Sequence, residues 1–412
     1  MNEIENIVIV CTWAESLGGS VKVAIKNAVG MADKGYNVIY FAAVGPVADE
    51  LRKSNVHVVC IGSQDIKDDS NRFRGIVNGL WNSKAADQFA DVLKKLDPKT
   101  TIVHYHGWNR GLSTSLFRIT KRLKFKTVIT LHDYFSVCPN GAFCDFQKFK
   151  LCTCEPMSLK CLVTNCDKKN YAQKLYRVIR QAIQDRYIRY NKDINFIYIS
   201  DLNGRVVKQY VKSNRFYRVN NPANAVTQRA CQSSSSKMFL YVGRISDEKG
   251  TDLFCEAVSS VMQKHPEVCA AVLGAGNLFE ALKEKYPKIL FTGWVGKEQV
   301  KEYMERARCL VLPSRWYEGA PLTIIEAMGS GLPCIVSDCT TVAETITDGV
   351  SGFVFENGKV NVLKAKIEQA LDDKLIDEIQ NNIRNSIDPN ANSLETHIKR
   401  LEEVYNQILN SD

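Results

Sequence analysis

The stretch Cys309–Ser337, CLVLPSRWYEGAPLTIIEAMGSGLPCIVS, decides how this chain folds. Cys309–Leu312 is a short apolar run without polar alternation, the pattern of a strand buried on both faces. Pro321 suits the first turn of a helix, where its missing N–H would be unpaired anyway. Leu322 to Gly329 continue that helix, Gly331 and Pro333 end it, and Pro333–Ser337 reads as the next strand. Strand, helix and strand in this order predict a parallel pair joined by a crossover.

The pattern extends outward from there. Toward the N-terminus come the strand-like runs Ile289–Phe291, Cys269–Leu273 and Met238–Val242. Before them lies a break: Asn220–Asn224 carries Pro222, and Thr227–Lys237 is polar with four consecutive serines, the composition of a linker. Beyond the break, strands alternate with helices again. Ile7–Cys11, Asn37–Ala43, His57–Ile61, Thr101–His104, Thr127–Leu131 and Asn195–Ser200 are the strands; Ser20–Lys34 and Ala85–Leu96 are among the helices. A chain of 412 residues exceeds what one core supports. The expectation is α/β with two doubly wound, Rossmann-like parallel-sheet domains, residues 1–219 and 220–390, facing across a cleft with a hinge near 215–237. Residues 391–412 carry an amphipathic helix, Ser393–Leu409. Open parallel sheets place ligands at the carboxyl ends of their strands, so function belongs in the loops there.

Composition narrows the classes. An apolar share of 45% and a charged share of 24% are ordinary for a globular protein. No window approaches the roughly 18–20 apolar residues that span a bilayer. The start, Met1–Val10, holds acidic Glu3 and Glu5 instead of a basic leader, which predicts a cytoplasmic protein. A net charge of +9 tolerates phosphate-bearing substrates and anionic lipid without specifying either.

The chemistry-bearing residues follow strands. Gly319, Ala320, Pro321 and Leu322 open the helix after Cys309–Leu312, and their free amides suit a phosphate. Glu318 precedes that helix and Glu326 lies in its second turn, where one could reach a sugar and the other a pair of ribose hydroxyls; the bland alternative is a cap and a solvated face. A carboxylate between Ile324, Ile325, Ala327 and Met328, however, needs a partner. Gly243, Arg244 and Lys249 follow Met238–Val242. Cations at a helix start oppose its dipole, so an anion between them is the better explanation, and fixed cations stabilise a departing diphosphate. Gly18 and Gly19 follow the first strand and allow close backbone approach. His132 follows Thr127–Leu131 and could donate to a sugar hydroxyl or be structural. His104 and His106 lack an evident third metal ligand and read as structural.

Taken together, Glu318-x7-Glu326, Gly243-Arg244 to Lys249-Gly250, Gly18-Gly19 and Asp348-Gly349-Val350-Ser351-Gly352 resemble glycosyltransferase family 4, retaining enzymes of the GT-B fold, over nearly the whole chain. The resemblance implies a hexosyltransferase-type transfer from a UDP- or GDP-sugar to a saccharide or lipid-linked acceptor in surface polysaccharide biosynthesis, with no cofactor required. It implies that Arg244 and Lys249 hold the diphosphate, Glu326 the ribose and Glu318 the sugar. Trp294 and Val295 would lie near the base, Gly19 near the phosphate and His132 near the sugar. It further implies that the last helix crosses back to the first domain.

Six cysteines lie between Cys138 and Cys166, and some surface-polysaccharide members of that family look similar there. Reduced packing thiols, disulfides and a structural zinc on Cys138, Cys154, Cys161 and Cys166 are the three readings. Lys168–Lys192 follows, a basic amphipathic helix that either contacts the cytoplasmic face of a membrane or packs on its own domain with its cations solvated. Two rival functions remain at this level. One is a sugar-nucleotide epimerase of the same fold, for which no acid/base pair is evident. The other is a Cys/zinc-dependent nucleic-acid-binding protein, which leaves Glu318 and Glu326 unexplained; no nucleic-acid partner is expected.

Overall fold

The structure, a computed structural model, describes residues 3–66, 70–222, 232–319, 322–386, 388 and 390–411. Its strands, in chain order, are β1 Asn6–Trp13, β2 Asn37–Val44, β3 His57–Cys60, β4 Thr101–Tyr105, β5 Lys126–Leu131, β6 Cys144–Asp145, β7 Lys150–Leu151, β8 Ile194–Tyr198, β9 Phe216–Arg218, β10 Met238–Val242, β11 Cys269–Leu273, β12 Leu290–Gly293, β13 Cys309–Leu312, β14 Cys334–Ser337 and β15 Phe353–Phe355. They build one sheet of order β3-β2-β1-β4-β5-β8-β9 and another of order β12-β11-β10-β13-β14-β15, with β6 and β7 as a separate hairpin. Every pairing within the two large sheets is parallel. The α/β, two-sheet expectation holds. In each sheet the strand order reverses beside its first strand, between β1 and β4 and between β10 and β13. Crevices open at such points.

Apolar strands without polar alternation are covered on both faces. Ile7, Ile9 and Cys11 enter one core while Val8 and Val10 enter the opposite one, as the two-residue period requires. Phe239 and Tyr241 separate from Leu240 in the same way. The Leu394–Leu409 helix belongs to the first sheet. Its Ile398, Leu401, Val404, Tyr405 and Ile408 pack with the Gly19–Asp33 helix and β1, each contributing about 1.5–3 kcal/mol by burial. The ion pair of Lys34 with Glu402 and the hydrogen bond from Tyr36 Oη to Glu402, 2.6 Å, fasten its outer edge.

Two sequence patterns turn out differently. Thr227 to Cys231 lie outside the described residues, but the serines after them are pinned. Fully buried Arg308 donates to Ser234 O at 3.1 Å and Ser236 O at 2.9 Å, and Ser233 N donates to Gln380 at 2.9 Å.

The second concerns the basic helix, which spans Tyr171–Asp185. Its cations turn inward instead of toward solvent. Arg180 donates to Pro139 O at 3.1 Å, Arg177 to Asn140 O at 3.3 Å, and Arg189 just beyond it to Pro156 O at 3.3 Å. The cause lies in the insert between β5 and the helix. A two-residue hairpin and one short helix leave many loop carbonyls without backbone partners, and buried carbonyls require donors.

Candidate active site

A cavity of about 280 Å³ opens between the carboxyl ends of the two sheets. Gly19, Ser20, His132 and Tyr134 line it from the first sheet, and Trp316, Glu318, Gly319 and Leu322 from the second. The loops after β1, β5 and β13 thus meet here. Gly319 makes the meeting close, since a Cβ on it would lie 2.5 Å from His132 O. Ala320 and Pro321 lie outside the described residues.

Glu318 lines the cavity, and Lys249 pairs with it from the loop after β10. Lys249 Nζ donates to both carboxylate oxygens, at 2.7 and 2.9 Å. The Trp316 indole N–H donates to Oε1 at 2.9 Å, and the Ser314 hydroxyl donates to the same oxygen. Burial by itself would raise the Glu318 carboxyl, but the Lys249 ammonium and these hydrogen bonds outweigh it and hold the group below the usual carboxylate range. Gly250 permits this contact. Its φ is +68°, and a Cβ there would lie 1.9 Å from Pro313 O, so the loop after β10 presses on the loop after β13.

Arg244 lies in the loop after β10, with its side chain 54% exposed and Nη2 2.8 Å from Glu248 Oε1. Buried Glu248 also takes Lys168 from the Cys-rich insert, at 3.0 Å. Burial favours its protonated form, and its own backbone N–H together with the two cations reverses that. Arg315 braces the same loop through Asp247 O, 2.7 Å, and the helix that follows through a bidentate pair with Asp252, 2.6 Å at each oxygen.

Glu326 lies half-buried on the Leu322–Gly329 helix. Desolvation raises its carboxyl, opposed by Lys297, Lys26 and Lys22. Lys22 and Lys26 belong to the Gly19–Asp33 helix, so this carboxylate is influenced from the opposite sheet. Around Gly18 and Gly19 an added Cβ would meet nothing within 4 Å, which leaves room for a ligand at the start of that helix. Gly243 follows β10 and Trp294 and Val295 follow β12, with Trp294 80% exposed. They border the second sheet's carboxyl edge but do not line the cavity.

His132 heads a buried polar chain. Its Nε2 lies 2.8 Å from His106 Nδ1; His106 Nε2 lies 3.4 Å from the Asn27 amide, which is 2.6 Å from His397 Nε2; His397 Nδ1 lies 2.7 Å from Asn220 O. Desolvation lowers His132 to about 3, His397 to about 4, and His106 well below its ordinary value, so the rings are neutral. Their polarity is then determined, because the Asn220 carbonyl only accepts. His397 carries its proton on Nδ1 and accepts at Nε2 from the Asn27 nitrogen, an end-group flip of the Asn27 amide. His106 donates to the Asn27 carbonyl and accepts from His132 Nε2–H. The other His132 nitrogen, Nδ1, is left as an acceptor. His104 is separately satisfied by Tyr405, 2.5 Å, and Thr130, 2.6 Å.

The cysteines are not gathered as ligands. Cys161 and Cys166 flank buried Lys174 Nζ at 3.4 and 3.3 Å, and Cys138 donates to Asn140 at 3.2 Å. Among the described residues no group of three or more His, Cys, Asp or Glu side chains is arranged to hold a metal ion. The structure therefore brings Gly19, His132, Glu318, Gly319 and Leu322 to one cavity, with Lys249 bonded to Glu318. It leaves Arg244 on the loop after β10, paired with Glu248, and Trp294 and Val295 at the sheet edge. Sequence reasoning missed Ser314, Trp316 and Glu248, which lie inside the motifs it used. It also missed Asn27 and His397, whose separation along the chain leaves no local signal, whereas His106, read as structural, is buried between Asn27 and His132.

Residues 228–392 match the family described as Glycosyl transferases group 1. The UDP-Gal:alpha-D-GlcNAc-diphosphoundecaprenol alpha-1,3-galactosyltransferase of Escherichia coli is 25% identical over 221 residues, 52% of this chain and 56% of that protein. The chain thus spans about half the length of this curated relative. Among solved structures, a glycosyltransferase from Rickettsia africae superposes with a TM-score of 0.67 at 18% identity over 100% of both chains. The Anabaena protein Alr3699/HepE, in complex with UDP and glucose, gives 0.66 at 14% identity over 98% of this chain and 100% of its own. The fold is that of the GT-B glycosyltransferases.

Proposed function

We propose that this chain is a retaining glycosyltransferase that moves a sugar from a UDP-sugar to a lipid-linked saccharide. The Lys249–Glu318 contact on the wall of the inter-sheet cavity carries the reading. It places a cation and an ionised carboxylate within one hydrogen bond of each other where two crevices face. The uridine donor is favoured by the UDP in the Anabaena complex and by the name of the E. coli relative, whose diphosphoundecaprenol substrate also supports the lipid-linked acceptor.

In this account the donor diphosphate lies between the Gly18–Gly19 turn and the Arg244 and Lys249 cations, with the ribose at Glu326 and the base toward Trp294 and Val295. Glu318 Oε1 already accepts from Lys249, Ser314 and Trp316, whereas Oε2 accepts from Lys249 alone among the described residues, so Oε2 is the oxygen left for a sugar hydroxyl. His132 Nδ1 accepts from a second hydroxyl. The acceptor oxygen bonds to the anomeric carbon as the carbon–phosphate oxygen bond breaks. The acceptor proton passes to the departing diphosphate on the same face, which retains configuration without a protein base. Negative charge grows on the leaving group, and two fixed cations stabilise it most at that moment.

The test is to incubate the chain with a panel of nucleotide sugars and a polyprenyl-diphosphate-linked saccharide. Acceptor-dependent release of UDP with an axial product linkage from an axial donor supports the reading. An inverted linkage, or epimer formation without acceptor, contradicts it.

A further inference from the structure

Three helices on the first sheet's side share one outward face that the catalytic reading does not use. They are Arg72–Leu80, Leu159–Val163 and Tyr171–Asp185. The last is the middle one. Tyr176 Oη donates to Ile76 O at 3.3 Å on one flank, and Lys174 Nζ reaches Cys161 Sγ at 3.4 Å on the other. At about 100° per residue, those two contacts point to nearly opposite sides, and Tyr171, Leu175 and Ile179 fall in the arc between them. The three helices therefore lie side by side, with Tyr171, Leu175 and Ile179 on the outer arc of the middle one.

It is apolar and bare. Phe73 is 76% exposed, Leu159 82%, Val163 72%, Leu175 42% and Ile179 53%. Exposed apolar side chains gathered on adjoining helices mark an interaction surface. Exposed Arg72, Lys160, Lys169 and Arg186 stand around it, while Asp185, the single carboxylate within the three helices, is buried. The inward turn of Lys174 and Arg180 is what leaves the outer arc apolar. An apolar centre with cations at its margin and no exposed carboxylate within its three helices complements an anionic lipid surface: side chains enter the acyl boundary and the cations meet the headgroups.

We propose that this face rests on an anionic bilayer. Lys168, at the edge of the face, pairs with Glu248, which holds Arg244. The membrane would thus lie beside the mouth of the cavity, where an acceptor carried on lipid would enter. That last step rests on the acceptor reading above; the surface itself does not.

The test floats the full chain with vesicles of phosphatidylcholine alone and with vesicles of equal parts phosphatidylcholine and phosphatidylglycerol. UDP binding is followed separately by thermal shift. Binding should favour the anionic vesicles. It should fall about tenfold or more in a Leu175→Ser/Ile179→Ser variant and in Phe73→Ser, with the UDP response unchanged in both. Absence of wild-type binding to anionic vesicles overturns the proposal, as does binding indifferent to these substitutions. So does a solution dimer that the double substitution dissociates, which would assign the face to a second copy. Vesicle binding that responds to the substitutions supports the face even where UDP gives no thermal response, a result that counts against the donor site alone.

Discussion

Lys249 and Glu318 are one unit, and the energetics of the two cannot be separated. Removing the ammonium leaves a buried carboxylate uncompensated, which costs about 3–5 kcal/mol when the charge is well desolvated. Lys249→Ala should therefore lose stability in a urea titration and lose turnover by on the order of 10²-fold. A Lys249→Ala/Glu318→Gln double variant should recover much of the stability and none of the turnover, because the stranded charge is gone while the cation is still missing. Equal stability of the single and double variants would show that the pair is not a buried ion pair in solution. Arg244→Ala, by contrast, removes a half-exposed cation and should lower turnover with little change in the urea midpoint.

At the level of the element, Gly250 connects loop geometry to this pair. Its left-handed backbone costs a non-glycine residue about 1–3 kcal/mol, and the approach to Pro313 O adds to that. Gly250→Ala should lower the melting temperature and should also depress kcat, since Lys249 moves with the loop; an unchanged kcat would uncouple the loop from the site. Elements also show what could be read from the chain beforehand. The buried strands announced themselves because both faces are covered and their apolar runs are continuous. β9 and β15 span three residues each and have no periodicity to detect. The Tyr171–Asp185 helix was legible as amphipathic, but which face was inside was not. A rule that sends charges to solvent fails where a poorly ordered insert needs its carbonyls satisfied. The candidate site was legible only as separate motifs after strands. The Lys249–Glu318 bond and the chain from His132 to Asn220 depend on tertiary approach, which composition and spacing do not encode.

For the whole molecule, the histidine chain ties the cavity to the crossover at Asn220 and to the returning Leu394–Leu409 helix. Its pH dependence has a definite sign. The folded state keeps His397 near 4 and His132 near 3, against an ordinary 6.5. Between those values the unfolded chain binds protons that the folded chain does not, so stability falls as pH drops below about 6.5, by up to roughly 1.4 kcal/mol per unit for each histidine. Thermal melts from pH 8 to 4.5 should be level above neutrality and decline below it, less steeply in a His397→Gln variant. A profile level throughout would mean that these rings are protonated in the fold.

The proposed function stands on a nucleoside diphosphate gripped where the two sheets face one another. A crystal structure of the chain with UDP puts this to the test. The diphosphate should lie between Gly19 and the Arg244 and Lys249 side chains, with the ribose hydroxyls on Glu326. UDP bound on any other surface, or seated at the cleft without contact to either cation, would contradict the account.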